Sequence, residues 1–224
     1  MDPLTTDQSG DYFSEAYRDY CRQSPDRKFD HYLNVIITDA GSGPLDLLDV
    51  GCGPGAFLAR TKTIYPDWHL SGIDIQEAAV RQASAAVPGA EIRVASASGQ
   101  SFPSGAFDVI TAWDSIEHVE DIDRVGKAIR AMLTPTGLFF FVVPVYDGVT
   151  GPLIRRLDKD PTHIHRESRG FWLNWAAEWF EVIRWHGIYR YLLPTGWYVH
   201  MPTRTLRNHT AAVLVGCRVT RRSR

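Results

Sequence analysis

Residues 48–58 read Leu48-Asp49-Val50-Gly51-Cys52-Gly53-Pro54-Gly55-Ala56-Phe57-Leu58. An apolar run at 45–50 enters a glycine-rich turn, and residues 56–64 beyond it suit a helix. Glycine is needed where a backbone turns sharply or where a ligand must approach the main chain closely. Nineteen residues after Gly55 stands Asp74, at the end of a second apolar run. A carboxylate there can accept hydrogen bonds from both hydroxyls of a ribose on a ligand held by the first loop.

Working outward, the same rhythm continues. Strands are expected at 68–74, 91–95, 107–113 and 138–143, with helices at 76–87 and 122–133 between them. Pro135-x-Gly137 reads as a turn. Alternating strands and helices of about ten residues argue βαβ units and a parallel sheet. The strands are near-continuous apolar runs, as expected where helices cover both faces. After Pro144 the alternation weakens: 147–166 is irregular, 168–180 a Trp-rich helix, 181–191 and 211–220 late strands, and 193–209 an irregular insert. Upstream, 11–37 reads as one or two helices broken near Ser24-Pro25.

The chain has 224 residues, so one domain is the default. A formal net charge of -2 creates no global field toward nucleic acid or an anionic membrane. No apolar run reaches membrane-spanning length. The polar, acidic start lacks a secretory signal. Cys21, Cys52 and Cys217 are odd in number and widely spaced, which is neither a disulfide framework nor a zinc pattern. A reducing cytoplasm is the expected home.

Two ligand classes use a loop such as 51–55. Gly51-x-Gly53-x-x-Ala56 fits the dinucleotide fingerprint, which would imply NAD. Against that, Ala56 replaces the third glycine, Gly55 adds another, and Asp49 would repel a pyrophosphate while suiting a cationic ligand. The sequence resembles the class I methyltransferases that use S-adenosylmethionine, especially small bacterial ones related to ubiquinone and menaquinone biosynthesis enzymes. Residues 45–145 carry the resemblance, in the blocks 47–58, Gly72-Ile73-Asp74-Ile75, Phe107-Asp108-Val109-Ile110, Asp114-Ser115-Ile116-Glu117-His118-Val119 and Pro135-x-Gly137. Five blocks in order are far more specific than one glycine loop.

The resemblance implies a Rossmann-like, doubly wound α/β fold: a mostly parallel seven-stranded sheet, helices on both faces, and a last antiparallel strand. It implies a helical lid over residues 1–40, with the main domain in 41–224 and acceptor-pocket insertions at 147–166 and 193–209. The cofactor would be S-adenosylmethionine, with S-adenosylhomocysteine as product. Its methionine end would lie on the backbone of Gly51, Cys52, Gly53 and Gly55, with Asp49 facing the ammonium. Asp74 would hold the ribose, and Ile75 would pack on the adenine. Ser96 stands where the family usually has an aspartate, so it would accept from the adenine amino group without charge assistance. The backbone of Ala97 would complete that contact. Trp113 would line the sulfonium pocket, where an aromatic face favours a cation.

Methyl transfer from a sulfonium needs alignment and exclusion of water, plus a base where the acceptor is a hydroxyl or protonated amine. Histidine is best suited. His118 follows the fourth strand, at the edge where open α/β sheets bind ligands, and reads as a base or as a loop anchor. His163, in Asp160-Pro161-Thr162-His163, resembles a family block in which the histidine faces the acceptor. His165 would point the same way in an extended segment. Asp158, Asp160, His163 and His165 on an irregular loop make a weak metal set, and no metal ligand is assigned.

Trp172, Trp175 and Trp179 share one helical face, read as packing on the sheet, with Trp172 also a candidate substrate wall. Five of the 7 Trp fall after residue 170, which suggests a planar or hydrophobic acceptor. Arg218, Arg221, Arg222 and Arg224 read as a solvated basic tail. The expected partner is thus a small-molecule acceptor, with neither nucleic acid nor membrane, and a homodimer is compatible with the reading. The expected activity is methyl transfer to oxygen or nitrogen of a biosynthetic intermediate, secondary-metabolite or quinone-like. The alternatives are an RNA or protein methyltransferase, or a non-catalytic cofactor-binding subunit.

Overall fold

A computed structural model describes residues 26–149, 151–158, 162–192 and 198–220. The elements run α1 (Asp26–Ala40), β1 (Asp46–Val50), α2 (Ala56–Ile64), β2 (His69–Asp74), α3 (Glu77–Ala86), β3 (Glu91–Val94) and β4 (Phe107–Trp113). A single 3-10 turn (Ile116–His118) precedes α4 (Ile122–Met132), β5 (Leu133–Pro144), α5 (Gly151–Leu157), α6 (Arg169–Trp179), β6 (Glu181–Leu192), β7 (Tyr198–Thr203) and β8 (Ala212–Arg218).

All strands join one sheet in the order β3-β2-β1-β4-β5-β8-β6-β7. The first five are mutually parallel, and β8 enters antiparallel between β5 and β6. The order reverses at β1, so the carboxyl ends of β1 and β4 open the crevice where such sheets bind ligands.

Side chains of β5 alternate between the two faces. Phe139, Phe141 and Val143 meet α4 and α6 through Val125, Ile129, Trp172 and Trp175. Phe140 and Val142 face α1 and α2 through Tyr32, Leu33, Phe57 and Leu58. Each such buried side chain contributes about 1.5–3 kcal/mol of transfer free energy, which is what holds helices on both faces. Helix ends are set locally: Asp121 accepts from the Arg124 amide (3.0 Å) at the start of α4, and Ser168 from the Phe171 amide (3.1 Å) at the start of α6. The Trp face of α6 packs inward. A Cβ on Gly126 of α4 would lie 2.6 Å from the Trp179 ring, so the bare glycine is what admits it.

Four expectations change. The sheet has eight strands rather than seven. The eighth, β7, lies inside the expected irregular insert 193–209, of which 193–197 are outside the described residues. It pairs antiparallel with β6, from Gly187 opposite Thr203 to Leu192 opposite Tyr198. The stretch 147–166 contains α5. Pro135-x-Gly137 falls within β5, not before it: Phe107 faces Leu133 and Val109 faces Leu138, so the register shifts there and β5 bows out by three extra residues. Of the expected lid, residues 26–40 form α1, whose apolar face is buried on the sheet, while 1–25 lie outside the described residues. Arg221, Arg222 and Arg224 lie outside them too.

Candidate functional site

The loop after β1 is built on glycines with left-handed backbones: Gly51 (φ 72), Gly53 (φ 52) and Gly55 (φ 83). At Gly51 a Cβ would also overlap the Ser115 side chain, so the loop sits tightly against the segment leaving β4. Two further ties fix it. Gly51 and Cys52 donate their amides to the Ile73 carbonyl at 2.8 and 3.0 Å. Gly53 donates its amide to Asp74 Oδ2 at 2.9 Å, while Gln76 donates to Oδ1 at 2.8 Å. Asp74 therefore organises the loop, and each of its oxygens keeps a second lone pair.

Behind the loop, Asp49 is only 2% exposed and accepts from the Thr111 hydroxyl at 2.7 Å. Burial pushes its carboxyl up to about 7, the Asp74 charge adds to that, and the Thr111 bond opposes it. Ile75, just past Asp74, is 66% exposed, an apolar surface beside the loop. Ser96 follows β3 with its hydroxyl 2.9 Å from that of Ser98, and Ala97 packs on the core. Cys52 is buried; its sulfur would be 2.9 Å from a Cβ on Gly72, and burial raises its thiol pKa. Only its backbone belongs to the loop's face.

Three aromatic and histidine expectations meet packing instead. Trp113 is 3% exposed, stacked on Tyr32 (4.2 Å, 19°) and edge-on to Phe57 (5.4 Å). It is a core side chain beneath the crevice and not an open wall. Trp172 is 0% exposed, packed against Trp175 and Phe141, which corrects its reading as substrate wall. Its edge supports His165 (6.0 Å). His165 spends Nε2 on the Val119 carbonyl (2.9 Å) and its amide on the Glu117 carbonyl (3.0 Å), tying two loops together.

His118 and His163 come together, ring centroids 4.8 Å apart. His118 Nδ1 lies 2.9 Å from the Thr162 carbonyl, which can only accept, so Nδ1 carries the proton. His163 Nδ1 lies 2.8 Å from Asp158 Oδ2 and 3.1 Å from the Tyr146 hydroxyl, which itself donates to Asp158. The buried Glu117 completes the group. Asp158 thus orients His163 from within α5's exit, a role that sequence spacing did not suggest; Asp160 lies outside the described residues.

Two clusters went unforeseen. Asp114 has a left-handed backbone (φ 54), unusual for a non-glycine residue. It accepts from Arg190 of β6 and, at 3.4 Å, from the buried Lys28 of α1. Burial alone would raise the Asp114 carboxyl, but Arg190 and Lys28 hold it at about 2. Nearby, His31 Nδ1 lies 2.9 Å from His200 Nε2, and His31 Nε2 lies 3.0 Å from His186 Nε2. Away from both clusters, a cleft of about 440 Å³, lined by His69, Glu91, Arg93 and Phe102, opens at the opposite, amino-terminal edge of the sheet.

Residues 18–209 match the family described as "methyltransferase domain". The chain is 36% identical over 115 residues to nocamycin O-methyltransferase of Saccharothrix syringae, covering 49% of this chain and 38% of that one. It is 31% identical over 114 residues to a ubiquinone biosynthesis O-methyltransferase of Aromatoleum aromaticum, covering 49% of this chain and 48% of the relative. The match thus spans less than half the length of both relatives. A Thermotoga maritima structure described as an S-adenosylmethionine-dependent methyltransferase, possibly acting on histamine, superposes with a TM-score of 0.71. That superposition covers 93% of this chain and 97% of the other at 12% identity, a likeness of fold alone. With the family match covering most of its length, this chain belongs to the methyltransferase-domain family.

Proposed function

We propose that this protein transfers a methyl group from S-adenosylmethionine to an oxygen or nitrogen of a small molecule. The observation that carries the reading is the shared edge. The loop stitched to Asp74 abuts Ser115, and two residues further lies Glu117, beside His118 and His163. Cofactor chemistry and acceptor chemistry would thus meet across one short segment.

The residues fit the cofactor on the loop side. A ribose diol needs a carboxylate with lone pairs to spare, which Asp74 has. An adenine face needs exposed apolar surface, which Ile75 offers, with Ser96 and Ala97 at its polar edge. A methionine tail needs approachable backbone, at Gly51, Cys52, Gly53 and Gly55, and an anion for its ammonium, Asp49. When bound, the cofactor supplies an electrophilic methyl on a sulfonium. The chain's own task is then alignment and desolvation. His163, oriented through Nδ1 by Asp158, is the group placed to take the acceptor proton, with His118 beside it. Trp113, His165 and Trp172 hold these segments from beneath.

The first two relatives above are O-methyltransferases by name, and the near-zero net charge favours a small acceptor over nucleic acid. No helix among the described residues is long and apolar enough to cross a membrane. Calorimetry with S-adenosylmethionine, S-adenosylhomocysteine and NAD tests the reading. Both sulfur ligands should bind in the micromolar range and NAD should not. Absence of sulfur-ligand binding up to low millimolar concentration overturns it.

A further inference from the structure

The Glu117, His118 and His163 group carries more than a proton acceptor. We infer that these three side chains form a binding site for one first-row divalent transition ion, in the range Mn²⁺ to Zn²⁺, on the acceptor side of the crevice. Each offers one ligand atom, and these atoms all lie within 4.8 Å of one another. Ligands held about 2.1 Å from one ion in tetrahedral geometry lie about 3.4 Å apart. Closing the present spacing therefore takes an approach of up to about 1.4 Å, shared between the side chains.

The surroundings have the form that an ion site requires. A ligating imidazole is ordinarily fixed through its other nitrogen by a carbonyl or carboxylate, which sets its tautomer and raises its basicity. Here His118 Nδ1 is held by the Thr162 carbonyl at 2.9 Å and His163 Nδ1 by Asp158 at 2.8 Å. With Nδ1 so engaged, a neutral ring at either position has its lone pair on Nε2. Asp158 is itself held by the Tyr146 hydroxyl and by Arg166 at 3.4 Å, so the outer layer is braced as well. The segment bearing the first two ligands is anchored too, since Ser115 donates to the Val50 carbonyl at 2.8 Å.

Two imidazoles and one carboxylate suit borderline transition ions better than Mg²⁺ or Ca²⁺, and they leave coordination positions open. Those positions would take an oxygen of the acceptor. With the ion bound, His163 would be a ligand, and the ion as Lewis acid would lower the pKa of the acceptor O–H so that its proton leaves to solvent; His163 is the base only in the ion-free protein. This use of the ion rests on the methyl-transfer reading; its binding does not.

The test is a titration of the chelator-stripped full chain with MnCl₂, followed by electron paramagnetic resonance, and with CoCl₂, followed by visible absorption. One equivalent should bind. His163→Ala and His118→Ala should each weaken binding at least tenfold, and Asp158→Asn by about 10–100-fold with the cobalt spectrum retained. His69→Ala, at an exposed site on the far edge, should bind as the parent does. Glu117→Gln joins the set if its melting curve matches the parent's; the histidine variants decide the matter otherwise. No binding at millimolar ion, or equal affinity in His163→Ala and the parent, overturns the inference. So does loss of binding on His200→Ala in place of His163→Ala. S-adenosylhomocysteine affinity, measured on the same samples, separates the two proposals: its presence without ion binding sinks the ion site alone, and its absence sinks the methyl-transfer reading.

Discussion

The Gly53 amide donates to the Asp74 carboxylate at 2.9 Å, joining the turn after β1 to the end of β2. One side chain thus shapes the loop and offers its remaining lone pairs to a ligand. Hydrogen bonds to a charged group contribute about 1.5–3 kcal/mol each, so losing this carboxylate should remove both loop order and ligand affinity. Asp74→Ala is expected to weaken S-adenosylhomocysteine binding by about 100-fold, which corresponds to roughly one such bond near the upper end of that range. Asp74→Asn, which keeps one carbonyl acceptor, should fall between. Calorimetry reads the affinity, and amide exchange at Gly53 reads the loop. Unchanged protection of Gly53 in Asp74→Ala would break the link between the two effects.

Gly51 tests how tightly the loop is pressed onto the acceptor side. Its φ of 72 and the overlap of any Cβ with Ser115 act together. Strain and overpacking each cost about 1–3 kcal/mol, so Gly51→Ala should lower unfolding stability by about 2–6 kcal/mol. Urea denaturation measures this. Ser115→Gly in the same chain should recover only part, because the φ strain stays and the Ser115 bond to Val50 is lost. Full recovery would show that the clash alone mattered.

What could be read along the chain was what neighbouring residues encode. The glycine loop, Asp74 and the alternation of β1 to β5 with helices are all short-range patterns, and the structure has them. What escaped was set at long range or by mixed signals. Strand β7 contains Pro202 and alternates burial only loosely, because it is the sheet's outer edge and one flank needs no partner. Helix α5 is short and opens on Gly151-Pro152, a composition that also suits a loop. Asp114 meets Arg190 across 76 positions, and His31 meets His200 across 169, pairings that only the fold creates. The aromatic-rich end misled in a different way. A buried tryptophan and a tryptophan lining a pocket share one helical period, and only burial separates them.

Asp49 predicts a pH dependence for cofactor binding. Its folded carboxyl titrates at about 7, raised chiefly by burial, and a cationic ligand favours the ionised form. Affinity for S-adenosylhomocysteine should therefore rise as pH increases through 7 and level off above 8. Below 6 it should fall by up to about tenfold per pH unit, since one proton must leave on binding. Asp49→Asn should flatten the profile and weaken binding at high pH. A flat profile in the parent protein would show that Asp49 does not sense the ligand's charge.

The three imidazoles of His31, His186 and His200 predict how the protein responds to acid. Burial lowers them to about 4, 4 and 3, with neighbouring positive groups adding to the effect at His186 and His200. Neutral rings satisfy both contacts of this chain, with His31 donating at one nitrogen and accepting at the other. A group with a depressed folded pKa contributes stability above its unfolded value, here 6.5, and loses it as pH falls toward the folded value. Between 6.5 and 4 the unfolded chain takes up protons that the folded one refuses. Each such proton contributes a slope of about 1.4 kcal/mol per pH unit. Urea midpoints should accordingly drop steeply through that window. Asp114, held near 2, adds its own loss only below the ordinary carboxylate range. His186→Leu removes one member at the end of the chain and should cut the slope between pH 6 and 5 by about one third. The slope, not the absolute stability, is the quantity to compare, because the leucine also changes packing. An unaltered slope would mean that His186 is already protonated in the folded protein and that the imidazole chain is broken there.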